Sequence, residues 1–66
     1  MTRKEWVAAY REEFCRISVE RGIWTAEDAL PWAESIENDA WLAAGHCPPD
    51  EVAAEDVDVC RKESQQ

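Results

Sequence analysis

Between residues 23 and 60 the chain has no lysine and no arginine, although ten aspartate and glutamate residues fall in that stretch. The gap excludes a basic stripe able to neutralise phosphates and release counterions. Conventional binding of DNA or RNA, and attraction to an anionic membrane, are therefore disfavoured. No apolar run approaches the roughly 20 residues that cross a bilayer. The opening residues MTRKEWVAAYREEF are charged on both sides of their few apolar positions and lack the apolar centre of a signal peptide. A cytoplasmic location is the expectation, and the Met start with a polar Ser64-Gln65-Gln66 end reads as a whole small gene product. Two glycines and three prolines exclude collagen-like and proline-rich chains. No glycine-rich phosphate cradle is present. The three cysteines, Cys15, Cys47 and Cys60, are odd in number and widely spaced, unlike the framework of a secreted disulfide scaffold.

What remains is a chain of 66 residues with 15 acidic and 7 basic side chains, a net charge of −8, and 45% hydrophobic residues. That length allows one small domain. The hydrophobic content is ordinary for a folded protein. Four tryptophans are a rich supply of apolar area for so short a chain.

The spacing predicts an all-α fold, a small bundle of three helices with a short extra helical turn before the second. Thr2 followed by Glu5 is a capping box, and the first helix runs over residues 3–21. Trp6, Tyr10, Phe14, Ile17 and Arg21 recur at steps of four and three and share one face. Glu12 and Arg16 stand in the favourable order for a helix pair. Gly22 supplies the stop. Thr25 with Asp28 marks another helix start, and Trp24 before it is placed to staple against Ala29. Pro31 leaves two readings: a brief turn over 26–30 with the main helix over 31–44, or one helix kinked at the proline. The first is preferred. Gly45 and Pro48-Pro49 end this helix, and a third follows over 50–62, with its acids at the start and Arg61 and Lys62 at the end. Asp56-Val57-Asp58-Val59 alternates like a strand but has no evident strand partner. The last four residues are expected to fray. The expected core is Trp6, Tyr10, Phe14, Ile17, Leu30, Ala33, Ile36, Ala40 and Val57.

Charge is distributed unevenly. Residues 1–22 hold five basic and four acidic side chains, and residues 23–60 hold only acids. The second and third helices thus offer an anionic surface suited to a basic partner. Acids also keep small proteins soluble and cap helix starts, so mere solvation is the competing account. The candidate partner-binding residues are Glu34, Glu37, Asp39, Trp41, Glu55 and Asp58. Trp41 lies beside the main stripe and resembles an interface anchor with a polar rim, although it suits the third side of the core equally well.

His46-Cys47 is the one adjacent pair with chemistry. Adjacent side chains rarely face each other, and surrounding carboxylates favour the thiol over the thiolate. A zinc- or thiol-dependent site built from His46, Cys47 and Cys60, with Cys15 or Asp56 as a fourth ligand, is the alternative function, but no short Cys-x-x-Cys step supports it. Neither Glu-x-x-His motifs nor a calcium loop occur. The leading expectation is a non-enzymatic adaptor or inhibitor without cofactor. It binds a basic protein surface, in the strongest form by mimicking nucleic acid, and contacts neither nucleic acid nor membrane directly. A structural oligomer without chemistry is a third reading. A homodimer through the first helix or the Trp41-Leu42 edge follows from small size and surplus aromatics.

Overall fold

Thr2 begins the first element by capping it. Its hydroxyl accepts from the Glu5 amide at 3.2 Å and donates to the Glu5 carboxylate at 3.1 Å. A computed structural model describes residues 1–64. Helix α1 covers Arg3–Glu20, α2 Ala26–Ala44 and α3 Pro49–Ser64, and the described residues contain no strand, so the fold is an all-α three-helix bundle. The Asp56–Val59 alternation is helical. Of the residues expected to fray, Glu63 and Ser64 continue α3, while Gln65 and Gln66 lie outside the described residues. No helix among the described residues is long and apolar enough to cross a membrane. The Cα radius of gyration of 10.9 Å matches the roughly 11 Å of a compact chain of this length.

Helix α1 ends in a Schellman motif. The Ile23 amide donates to the Ser18 carbonyl and the Gly22 amide to the Val19 carbonyl, both at 3.0 Å. Gly22 takes φ +68°, a left-handed conformation open to glycine without a steric penalty.

The boundary expected at Pro31 is absent. Residues 26–30 are helical, as anticipated, but they run without a break into 31–44. The Thr25 hydroxyl accepts from the Asp28 amide at 3.2 Å and starts one helix, in which Pro31 is the sixth residue. The proline cannot donate to the Glu27 carbonyl, so one helical hydrogen bond is lost. Pro31 is exposed, which lets water reach the turn it weakens. Trp24 and Trp32 stack across this turn with ring centroids 5.6 Å apart and hold it against α1. Trp24 packs against the core cluster that includes its expected staple partner Ala29, and its other face stacks on Phe14 at 6.2 Å. Helix α3 starts one residue before expectation, with Pro49 at its first position, where a missing amide costs nothing.

Helix α1 lies between the other two and packs against both, whereas α2 and α3 touch each other little. Its bulky face meets small residues. Trp6, Tyr10, Phe14 and Ile17 are buried against Ala29, Ala33 and Ala40 of α2 and against Val52, Ala53, Val57 and Cys60 of α3. Large against small lets helices approach closely and interdigitate. Two expected core residues are displaced. Leu30 is 40% exposed, because it follows the fully buried Ala29 and one helical step of about 100° turns it outward. Ile36 is only half-buried, at the margin between α2 and α3. Ser18 is buried without penalty, since its hydroxyl donates to the Phe14 carbonyl at 2.8 Å.

All six aromatic rings of the chain form one continuous ladder. It runs Trp41, Trp6, Tyr10, Phe14, Trp24, Trp32, with successive centroids 5.3–6.2 Å apart. Trp41 meets Trp6 edge-on at 62°. It therefore packs against α1 and is half-buried. Its ring lies over Gly45, where any added Cβ would come within 2.5 Å of it.

Candidate functional site

The acidic residues of α2 and α3 divide into those that α1 engages and those that face solvent. Arg11 grips Glu37 with two parallel bonds, Nε to Oε2 at 2.9 Å and Nη2 to Oε1 at 2.8 Å. Such a fork is the strong geometry for an arginine and a carboxylate, and it raises the affinity of Arg11 for its proton. Arg21 donates to Asp58 at 2.6 Å. The Tyr10 hydroxyl donates to Asp56 Oδ2 at 2.5 Å. Burial pushes the Tyr10 phenol well above its ordinary range, and the adjacent Asp56 carboxylate adds to the shift. Arg3 donates to Asn38 across the same α1–α2 seam. Arg11 in α1 and Arg21 at its C-cap thus serve as counter-charges to α2 and α3. Arg16 instead pairs within α1, with Glu13 and Glu20 rather than the expected Glu12.

Two of the six candidate residues, Glu37 and Asp58, are therefore tied to arginines across the helix seams. Trp41 is half-buried in the core. Glu34, Asp39 and Glu55 are exposed and in no ion pair among the described residues. Glu27, Asp28, Asp50 and Glu51 are exposed as well, but they sit in the first turns of α2 and α3, where the helix dipole already accounts for them.

The structure does not assemble the alternative site. Among the described residues no group of three or more His, Cys, Asp or Glu could hold a metal ion. His46 is exposed in the α2–α3 turn, while Cys60 is buried in the core. The carbonyl of Cys47 accepts from the Trp6 indole at 2.8 Å, which pins that turn to α1. None of the three cysteines is in a disulfide. The Cys15 thiol is pushed above its ordinary range by burial, with Arg11 opposing and Glu34 adding to the effect. A thiol held protonated is a poor nucleophile.

One feature escaped the sequence reading. An open cleft of about 290 Å³ lies between α2 and α3, lined by Ile36, Asp39, Ala40, Ala43, Asp56, Val59 and Cys60. Its only trace in the sequence is Val59, which falls beside the Ala53–Val57–Cys60 face of α3. Comparison with protein-family models, with curated proteins and with solved structures finds no match to this chain.

Proposed function

We propose that this chain is a small, non-enzymatic protein-binding module that presents carboxylates to a basic surface on another protein. One observation carries the reading. After Arg11 and Arg21 have paired with Glu37 and Asp58, the acids Glu34, Asp39 and Glu55 still stand exposed, with neither an ion pair among the described residues nor a helix start to serve. Uncompensated charge of one sign speeds encounter with the opposite sign and discourages wrong partners.

The test is capture of a binding protein from the source cell on the immobilised chain, followed by association rates against salt. Attraction is screened over about 8 Å at physiological ionic strength. The expected outcome is a basic partner whose association slows as salt rises, and slows further with Glu34→Lys combined with Glu55→Lys. Both side chains are exposed, so folding should change by no more than about 0.5 kcal/mol. Reversal of Glu37 or Asp58 is a poor probe, because it would set a lysine against Arg11 or Arg21. Competition by added DNA or RNA would identify the partner's surface as one that normally holds phosphates. Salt-independent association, unchanged by the double variant, would overturn the reading.

A further inference from the structure

We infer that the cleft between α2 and α3 is a docking groove for an amphipathic helix of a partner protein, one with Lys or Arg beside its apolar stripe. The groove rests on the acidic-surface reading for the sign of the partner's charge. Three observations define the occupant. First, α1 packs on both other helices while α2 and α3 touch little, so the third seam of the bundle stays open. Second, its lining is apolar and partly bare. Ile36, Ala40 and Ala43 come from one side, Val59 and Cys60 from the other, and Val59 is 53% exposed. The alanines allow a helix to come close, and an open channel between two helices suits a row of side chains spaced three and four apart.

Third, the charged residues on its lining are both acidic. Asp39 comes from α2 and Asp56 from α3. Asp39 is in no ion pair among the described residues, and Asp56 uses Oδ2 for Tyr10, which leaves Oδ1 to accept from a guest. Cations flanking an apolar stripe would meet these two carboxylates. A second copy of this chain has no such helix to offer. The apolar face of α1 is buried in its own core, Arg11 and the neighbouring Arg21 are engaged, α2 carries acids and no base, and α3 places its bases, Arg61 and Lys62, only in its last turn.

The experiment uses the full chain and three labelled peptides, read by fluorescence anisotropy at two salt concentrations. One is a helical peptide with leucines at alternating three- and four-residue steps flanked by lysines. The second has glutamates in place of those lysines, and the third is oligolysine. The lysine-flanked helix should bind at least tenfold more tightly than either of the others. Ala43→Glu combined with Val59→Glu fills the cleft at two exposed positions. It should weaken that helix at least tenfold and leave oligolysine binding unchanged or stronger. Circular dichroism checks the fold, and the milder Val59→Ser, expected to weaken binding several-fold, decides the matter if the double variant unfolds.

Unaltered binding of the lysine-flanked helix to a folded double variant, or to Val59→Ser, would overturn the groove, while salt-sensitive oligolysine binding would keep the acidic-surface reading. Equal binding of the glutamate-flanked helix, abolished by the cleft variants, would overturn the stated charge of the guest and the acidic-surface reading with it. Failure of every peptide to bind would overturn both. A dimer in sedimentation that the double variant renders monomeric would assign the cleft to a second copy and overturn the partner proposed here.

Discussion

Phe14 is the middle of the ring ladder, fully buried and stacked on Trp24. Truncating a buried Phe typically costs about 3–5 kcal/mol. A core in a chain this short supplies little more than about 3–5 kcal/mol in all. Phe14→Ala is thus expected to leave the chain largely unfolded without denaturant, and urea titration by circular dichroism checks it. Tyr10 sets a limit at the alkaline end. Its proton is held more tightly when folded than when unfolded, first through burial and then through Asp56. The associated stability is fully present below the unfolded phenol's value of about 10 and is lost as pH rises above it. Tyr10→Phe should flatten that alkaline loss relative to the parent in unfolding curves taken across pH 9–12, at the cost of one hydrogen bond to a carboxylate, worth about 1.5–3 kcal/mol. The inward direction of Phe14 and Tyr10 was legible, because steps of three and four define a helix face locally. The pairing of Arg11 with Glu37 was not. Sequence shows the sign of a charge, but the arm it reaches toward depends on how two helices cross.

At the scale of the elements, α1 was the most legible, since the Thr2–Glu5 cap and the Gly22 stop are set within a few residues of each end. The expected boundary at Pro31 in α2 is not formed, because a proline only weakens a helix and neighbours decide whether the helix survives. The Trp24–Trp32 stack supplies that support from outside the turn. Leu30 was misplaced for a related reason, as Ala29 and Leu30 are adjacent and only the packing partner selects which turns inward. Pro31→Ala should restore the missing bond to Glu27. The interior proline penalty of roughly 3 kcal/mol, less up to about 1 kcal/mol for a freer unfolded chain, predicts a gain of about 2 kcal/mol. Thermal unfolding of the variant against the parent measures it. Gly45→Ala should act in the other direction, because its Cβ meets the Trp41 ring.

Across the whole molecule, α1 is both the apolar hub and the source of counter-charge, and the two flanking helices turn their remaining acids outward. The anionic character of that surface was readable from composition. The cleft was not, because it arises from the splay of α2 and α3 around α1, which no local pattern encodes. The same hub arrangement spends the Trp6, Tyr10, Phe14 and Ile17 face of α1 inside the chain. Leu42, 73% exposed beside Trp41, remains for self-association, and sedimentation equilibrium over a concentration series would show Leu42→Glu to be the more monomeric form if that edge pairs. Chelator should leave the unfolding midpoint unmoved. Loss of helical signal with chelator, restored by zinc, would mean that His46, Cys47 and Cys60 do converge. The ring ladder also has an optical consequence. With successive rings 5.3–6.2 Å apart, each indole sits in one fixed asymmetric surrounding of other rings. The native chain should therefore show a near-ultraviolet dichroic band that vanishes on unfolding, so the protein carries its own label-free reporter of whether the three helices are assembled.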